Sequence, residues 1–534
     1  MTSLTGTGGL VRLVVRRDRV LLPIWTLLFG LIPISFVASI RDLYPTAADQ
    51  AKYASTSGTN PTFLALYGQL WDNGIGGIVV QRAGFVPVML GLVSALTVIR
   101  HTRTEEEAGR RELVGATVVG RHAALAAALI VTIAANLVIG ALLALGMTGQ
   151  DLPAAGSAAF GLQLAMAGIV FAAIAGVAAQ LTEGSGAARG LALGTLGVLF
   201  VVRLAADVGG KDSGLSWLAW LSPLGWGNRL RPYGGEQWWV LALFAVLILA
   251  LVYASVALSA RRDVGAGFLP PRLGPATAAR GLSTPLGLAW RLHRAALLGW
   301  TVGLGALGVV YGSVAEGVKT MVEDNPDLEK YFTRIGGQEG LIDAFLASSL
   351  SILGVIASGY AIQAALRMRT EETSGRAEPV LGTATSRIGW VASHLAFSLL
   401  GPTVALLASG LAVGLAHGIN SGDVGGQLPR VLGATLVQLP AVWLLTGIAL
   451  ALFGLLPRLT AVAWAALALF FLLGQFGAVL QLSQSVMDVS PFTHIPKLPG
   501  GELQVAPLAW LLGLTTILVV AGLYGFRRRD LEST

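Results

Sequence analysis

Long apolar runs, separated by short polar segments, follow one another along the whole sequence. A helix needs about 20 mostly apolar residues to cross the hydrocarbon core of a bilayer, and the sequence predicts twelve such spans. They are Val20–Ser39, Arg82–Ile99, Ala123–Met147, Gly156–Leu181, Ala187–Ala206, Trp238–Leu258, Ala295–Gly317, Ala344–Leu366, Trp390–His417, Val431–Leu456, Thr460–Leu482 and Ala506–Phe526. The pattern therefore predicts an all-α polytopic membrane protein.

The polar segments between the spans recur about half a chain length apart. Residues 103–112 read RTEEEAGRRE, and residues 369–378 read RTEETSGRAE. Further pairs recur in the same order: Asn60-Pro61 with Asn325-Pro326, Ser222-Pro223 with Ser490-Pro491, Gly234-Gly235-Glu236 with Gly500-Gly501-Glu502, and Arg261-Arg262-Asp263 with Arg528-Arg529-Asp530. An ordered set of matches is the signature of an internal duplication. The sequence thus predicts two tandem six-helix repeats.

The duplication defines the predicted domains. The first six-helix half covers residues 1–260, a proline-containing cytoplasmic linker covers 261–285, and the second six-helix half covers 286–534. Each half has a polar segment after its second span, at about 101–121 and 367–387. Each also has a predicted extracellular hairpin before its sixth span, at about 208–237 and 483–505.

Composition excludes a water-soluble enzyme. Of the 534 residues, 54% are hydrophobic and 12% are charged, whereas soluble chains carry roughly 25% charged residues. The chain has no cysteine, which excludes a disulfide framework and a thiol nucleophile. The polar segments on the same side of the membrane as the N-terminus contain most of the arginines, and every lysine lies in a segment on the other side of the membrane. The positive-inside rule therefore predicts that both termini are cytoplasmic.

The segment after the second span carries candidate docking chemistry. Thr104 is predicted to cap a short helix, and the glutamates that follow favour its positive end. Glu106 and Arg110, four residues apart, are predicted to form a stabilising pair. Gly109 within this helix costs up to about 1 kcal/mol, which indicates that another backbone approaches closely. The second copy repeats these features with Thr370, Glu372, Arg376 and Gly375.

Two interpretations apply to this repeated charged segment. A single copy is typical of a solvated loop helix, whereas two copies that retain the charges and the glycine favour docking onto a two-fold soluble partner. The candidate docking residues are Thr104, Glu105, Glu106, Gly109, Arg110, Glu112 and Arg121 in the first copy, and Thr370, Glu371, Glu372, Gly375, Arg376, Glu378 and Arg387 in the second.

Two other repeated features are candidate functional elements. Basic, partly apolar stretches before each first span predict helices that lie in the membrane interface; their basic residues are Arg16, Arg19, Arg291 and Arg294. Polar-aromatic stretches before each sixth span predict an extracellular gate formed by re-entrant hairpins, with interfacial aromatic residues on ordinary loops as the alternative. The candidate gate residues are Trp220, Pro223, Trp226, Pro491 and Phe492.

The chain lacks the sequence signatures of catalysis and of ion coupling. It has no nucleotide-binding phosphate loop, and its histidines do not have metal-ligand spacing. Ionisable groups inside a membrane usually mark ion or proton routes, but the middles of the predicted spans are almost free of them. Arg203 and Asp207 come closest, near an outer span end where snorkelling accounts for them. We therefore expect a non-catalytic protein that receives energy through its cytoplasmic segments.

The pattern from Glu105 to Arg121, repeated from Glu371 to Arg387, resembles the loop after the second span in ABC type 2 export permeases. In that family the loop is the coupling helix that contacts the ATP-binding subunit. The N-terminal stretch from Leu13 to Trp25 is similar to fused actinobacterial permeases of the polyketide-antibiotic (tetronasin-type) exporters. The second copy departs from the first, with Thr373 and Pro379 in place of Glu107 and Leu113, so the two copies are expected to grip their partners unequally.

This resemblance implies a permease subunit of an ATP-driven exporter in a bacterial cytoplasmic membrane. Two copies of a separate ABC ATPase would be the partners, together with membrane lipid and a hydrophobic small-molecule cargo such as a polyketide antibiotic or a drug. No nucleic acid is expected. ATP and Mg²⁺ would be used by the ATPase, and this chain would bind no cofactor of its own. The second and fifth spans of each half would line the pathway.

Two alternatives stay open at this stage. Parallel six-span repeats also occur in secondary, ion-coupled transporters, although the scarcity of charges at mid-membrane disfavours that class. The other alternative is a scaffold or sensor that has a permease fold and transports nothing.

Overall fold

The computed structural model describes residues 3–56, 63–64, 67–211, 213–269, 276–315, 337–476 and 483–531. Within these ranges the chain forms helices and loops and no strand. It divides into two compact units, Met1–Gly274 and Pro275–Thr534. The sequence landmarks Asn60-Pro61 and Asn325-Pro326 lie outside the described residues.

The α-helices of the first unit follow in this order: α1 (Thr7–Arg17), α2 (Leu21–Leu43), α3 (Ala47–Thr56), α4 (Ile75–Arg82), α5 (Val86–His101), α6 (Arg103–Glu107), α7 (Arg110–Gly115), α8 (Ala123–Thr148), α9 (Ala154–Leu181), α10 (Ser185–Asp207), α11 (Pro223–Arg229) and α12 (Val240–Arg261). Helix α9 occupies the centre and packs against α5, α8, α10 and α12. A Cβ atom on Gly161 of α9 would lie 2.2 Å from the carbonyl oxygen of Gly140 on α8. Small residues thus allow the close helix packing that holds membrane bundles together.

The second unit repeats this plan: α13 (Pro285–Val314), α14 (Gly337–Thr373), α15 (Ala377–Leu381), α16 (Arg387–Ser421), α17 (Val424–Leu436), α18 (Leu439–Leu455), α19 (Val462–Phe476), α20 (Gln484–Met487) and α21 (Val505–Arg528). Helix α18 packs between α14 and α21. A Cβ atom on Gly454 would lie 2.0 Å from the carbonyl oxygen of Gly522, so this contact also depends on small residues.

Ten helical segments of the described residues are long and apolar enough to cross a membrane. They are α2, α8, α9, α10, α12, α13, α14, α16, α17 together with α18, and α21. The second predicted span corresponds to α4 and α5, which are bent by 46° and would make an eleventh. The window Thr460–Leu482 is represented by α19, which has 15 residues, and its last six positions lie outside the described residues. The protein is therefore a multi-pass membrane protein, while twelve spans and cytoplasmic termini stay predictions.

The two predicted interfacial helices differ. In the first unit α1 is separate from α2, with Arg16 in α1 and Arg19 in the intervening turn. In the second unit a separate helix is wrong, because Arg291 and Arg294 lie inside the continuous helix α13.

The break between α1 and α2 coincides with a buried ionic contact at Asp18. Asp18 follows α1, is buried, and contacts His101 Nε2 at 2.5 Å and Arg100 at 3.1 Å. The residue at the matching position of the second unit, His293, stays helical and contacts His394 at 2.9 Å. The turn thus occurs where a carboxylate is held by the end of α5.

The charged pair near the end of α10 is buried. Arg203 and Asp207 are 3% and 2% exposed, and their side chains pair at 2.8 Å. Asn228 donates to the same carboxylate at 3.1 Å, and Gln69 donates to the Asp207 carbonyl oxygen at 2.8 Å. The snorkelling explanation for these two residues is therefore wrong: the pair is satisfied inside the protein.

Candidate coupling site

Each copy of the repeated segment folds as two helices joined at a glycine. In the first unit Gly109 separates α6 from α7, with a φ of 69°. In the second unit Gly375 separates α14 from α15, with a φ of 68°. The amide of each glycine donates to the carbonyl oxygen three residues earlier, Glu106 or Glu372, at 3.0 Å. Both helices thus stop in the same way, at a residue in the left-handed region where glycine is favoured.

This geometry corrects the predicted role of the glycines. Among the described residues, nothing lies within 4 Å of a Cβ atom built on Gly109 or Gly375, so close approach of another backbone of this chain does not explain the two glycines. The positive φ requires glycine instead. A glycine just after a helical stretch is a helix-stop signal, and the sequence already contained it.

The predicted capping threonines do not cap. Thr104 lies inside α6, where Arg189 contacts its hydroxyl at 3.2 Å, and the residue at the N-cap position is Thr102. Thr370 lies inside α14, which continues from the second span without interruption. Its hydroxyl points back to the carbonyl oxygen of Leu366 at 3.5 Å.

The predicted ion pairs within each segment are shifted by one glutamate. Arg110 pairs with Glu105 at 2.8 Å, and Arg376 pairs with Glu371 at 3.3 Å. The hydrogen bond that Arg110 donates to the Glu105 carboxylate raises the pKa of the exposed Arg110 guanidinium. The i,i+4 rule fails here because the glycine breaks the helix between the two residues. Glu106 and Glu372 are thereby available for other partners.

Glu106 lies at the centre of a buried arginine cluster. Its side chain is 1% exposed and pairs with Arg103 at 2.6 Å and with Arg262 at 2.8 Å. Arg111 also contacts it, and burial lowers the pKa of the Arg111 guanidinium. Arg262 directly follows α12, the sixth predicted span, and its Nε donates to Gln180 at 2.8 Å. The repeated segment is thus joined to the end of the sixth span.

Glu372 has the same arrangement in the second unit. Its side chain is 2% exposed and contacts Arg529 at 2.5 Å and Arg369 at 3.2 Å. Arg529 directly follows α21, the last span, and its guanidinium lies 5.0 Å from the centre of the Phe453 ring. The two units therefore place equivalent glutamates against equivalent arginines.

A second pair of arginines strengthens each connection. Arg121 donates to the carbonyl oxygens of Ser259 at 3.0 Å and Arg262 at 2.6 Å. Arg387 donates to the carbonyl oxygen of Arg529 at 2.6 Å. Cations that bind the last carbonyls of a helix are favourably placed. We call Glu106, Arg262 and Arg121 the first clamp, and Glu372, Arg529 and Arg387 the second clamp.

Three of the remaining candidate residues form an exposed tip in each unit. The tip residues are Gly109, Arg110 and Glu112 in the first unit, and Gly375, Arg376 and Glu378 in the second. The described residues provide no ion-pair partner for Glu112 or Glu378. The structure thus distinguishes the buried clamp glutamates, Glu106 and Glu372, from the solvent-facing tips.

The first unit has additional contacts between α1 and the repeated segment. Arg17 at the end of α1 pairs with Glu105 at 2.6 Å. Near the start of α1, the amides of Gly120 and His122 donate to the carbonyl oxygens of Thr5 and Ser3 at 2.8 and 3.0 Å.

The partners of the matching glutamate in the second unit are local. Glu371 pairs with Arg367 at 2.9 Å and with Arg376, both within the same segment. The two copies are therefore held unequally.

The predicted gate residues occupy short helical turns. Trp220 lies in the 3₁₀ turn Ser216–Leu221, stacks on Trp239 at 5.4 Å between ring centres, and accepts a hydrogen bond from Trp226 Nε1 at 2.7 Å through its carbonyl oxygen. Pro223 begins α11, and Pro491 and Phe492 begin a buried 3₁₀ turn. Their role as a gate stays a prediction.

Several arginines that contact the clamp glutamates were not identified as functional from the sequence. Arg262 and Arg529 served only as landmarks of the duplication, and Arg103, Arg111 and Arg369 were not selected. The available signal was the recurrence of an Arg-Asp dipeptide directly after the sixth span of each half.

The helices define the class of this molecule as a multi-pass membrane protein. Comparison with known proteins is more specific. A family model for the C-terminal domain of the multidrug efflux system permease Rv1217c matches residues 282–527. The multidrug efflux system permease protein Rv1217c of Mycobacterium tuberculosis is 45% identical over 533 residues, which is 99% of this chain and 96% of that protein. The chain belongs to this family of multidrug efflux system permeases and is an efflux permease.

Proposed function

We propose that this efflux permease is the membrane subunit of an ATP-driven exporter of ABC type 2. In this proposal both termini are cytoplasmic, the chain has twelve spans in two halves, and the membrane is the cytoplasmic membrane of a bacterium. Two copies of a separate ATPase dock on the two tips. ATP and Mg²⁺ bind to the ATPase, and this chain binds neither.

The pair of matching clamps is the observation that supports this proposal. A solvated loop has no need of a buried carboxylate, because removing a charge from water is costly unless the charge is paired. Each clamp joins a tip to the end of a sixth span through a glutamate whose side chain is almost fully buried. Force applied to a tip by a partner would therefore reach a membrane-spanning helix directly.

The cargo in this proposal is hydrophobic or amphipathic, such as a polyketide antibiotic or a drug. The relative Rv1217c is described as a multidrug efflux permease, and the spans of this chain are predominantly apolar. Closure of the ATPase pair would move the tips and, through the clamps, the sixth spans. The pathway would then change from inward-facing to outward-facing.

Co-purification tests the proposal. Affinity-purified permease from its native host is expected to bring down an ATPase that hydrolyses ATP faster when apolar cargo is added. Glu112→Lys with Glu378→Lys should reduce this co-purification, because both substitutions reverse an exposed tip charge. Glu502→Lys, an equally exposed substitution on the opposite predicted side, is the matched control. Nucleotide hydrolysis by the purified chain alone would contradict the proposal.

An ion-coupled transporter is the second candidate, and the buried Arg203–Asp207 pair is the observation that favours it. Ionisable residues within membrane segments often belong to ion or proton routes. Cargo uptake by reconstituted permease in response to a pH gradient, without any ATPase, would support this candidate. Loss of that uptake in an Asp207→Asn variant that is still folded and inserted would assign the uptake to the pair.

A further inference from the structure

Helix α1 presents two different faces side by side. Val11 and Val15 are four residues apart and form one stripe, and Arg12 and Arg16 form the adjacent stripe. Arg19 follows in the turn before α2. Val14 is buried, and α1 packs against α8. The helix is therefore amphipathic and anchored beside the first span.

An apolar groove lies between α1, the first two turns of α2 and the middle of α8. Its cavity volume is about 340 Å³. The lining includes Val11, Val15, Leu22, Pro23, Ile130 and Val138. The groove follows α8 for about 12 Å, at 1.5 Å per residue. It therefore starts at the end of a span and continues along apolar surface.

Basic residues are neighbours in sequence of the groove lining: Arg12 and Arg16 directly follow Val11 and Val15 on α1, and Arg19 comes before Leu22. Arg12, Arg16 and Arg19 are exposed, and none of them has an ion pair among the described residues. Neighbouring arginines differ, because Arg17 pairs with Glu105 and Arg100 pairs with Asp18. Three uncompensated cations beside an apolar slot match a ligand that has a negative headgroup and a hydrocarbon chain.

We propose that the groove binds an anionic phospholipid, with an acyl chain along α8 and the phosphate headgroup at Arg12, Arg16 and Arg19. A phospholipid is the occupant that the position favours, since clusters of arginine at the end of a span attract anionic lipid. The site belongs to the first unit, where the chain turns between α1 and α2. This inference does not depend on the proposed motor partner.

Photo-crosslinking of lipid to the purified permease tests the site. The full chain is placed in nanodiscs that contain photoactivatable phosphatidylglycerol or photoactivatable phosphatidylcholine, and the crosslinked peptides are identified by mass spectrometry. We expect phosphatidylglycerol to label peptides of α1 and α8 preferentially. We expect each arginine to raise the preference for phosphatidylglycerol over phosphatidylcholine by about fivefold. Arg12→Gln, Arg16→Gln and Arg19→Gln together should therefore abolish this preference.

Matched variants separate this site from general attraction of lipid to basic protein. Arg291→Gln with Arg294→Gln neutralises the corresponding exposed positions of α13 and should leave the preference unchanged. Ala134→Trp, which fills the groove from the exposed side of α8, should reduce labelling by phosphatidylglycerol while the melting temperature stays within the range of the other variants. Equal labelling by the two lipids, or a preference that survives the triple substitution, would overturn the proposal.

Discussion

Neutralising Glu106 isolates the energetic role of the first clamp. Glu106→Gln keeps the shape of the side chain but leaves Arg103, Arg111 and Arg262 around a neutral group. Removing one partner of a buried ion pair typically destabilises a protein by about 3–5 kcal/mol. The Glu106 side chain is 1% exposed, so little solvent screening reduces this value. An exposed substitution such as Glu112→Gln is expected to change stability by less than about 0.5 kcal/mol.

Thermal unfolding of the detergent-purified permease measures this difference. A loss of 1 kcal/mol lowers the melting temperature of a domain of 150–250 residues by about 2–4 °C, so Glu106→Gln should lower it by roughly 6–20 °C. The double variant Glu106→Gln with Arg262→Gln should lose less stability than the two single variants lose when their losses are added, because the effects of residues in contact are coupled. If Glu106→Gln is no more harmful than Glu112→Gln, the buried ion pair contributes nothing and our reasoning about the clamps is wrong.

Three further predictions concern coupling, the helix stops and the buried pair. Glu372→Lys should lower cargo export per ATP hydrolysed while leaving membrane insertion intact, as measured in proteoliposomes with the co-purified ATPase; unchanged export would remove the coupling role. Gly109→Ala and Gly375→Ala should each lower the melting temperature, because a left-handed backbone costs an L-residue about 1–2 kcal/mol, whereas Gly8→Ala in open space within α1 should raise it slightly. Asp207→Asn should destabilise the first unit, seen as faster proteolysis of its loops, because Arg203 would remain buried without a counter-charge.

The sequence predicted local features better than distant contacts. The helical character of the repeated segments follows from nearby residues, as do most of the apolar spans. The partners of Glu106 could not be obtained in this way, because Arg262 lies at the end of another helix and meets it only after the bundle has packed. The error about Gly109 had a different origin: a helix was extended through a residue whose type already indicated a stop.

Burial was the other property that sequence reasoning missed. Arg203 and Asp207 have the spacing of a helical ion pair, and their position near a span end favours an exposed interpretation. Asn228 and Gln69, which satisfy the Asp207 carboxylate and carbonyl groups, come from α11 and from a distant loop. The turn after α1 depends in the same way on the distant His101.

The clamps also have an evolutionary consequence. Each clamp glutamate pairs with arginines of its own unit, so each clamp is complete once the final helix of its unit has been made. Such a module can be copied in tandem, fused to its twin or encoded as a separate polypeptide without leaving an orphaned carboxylate at the junction.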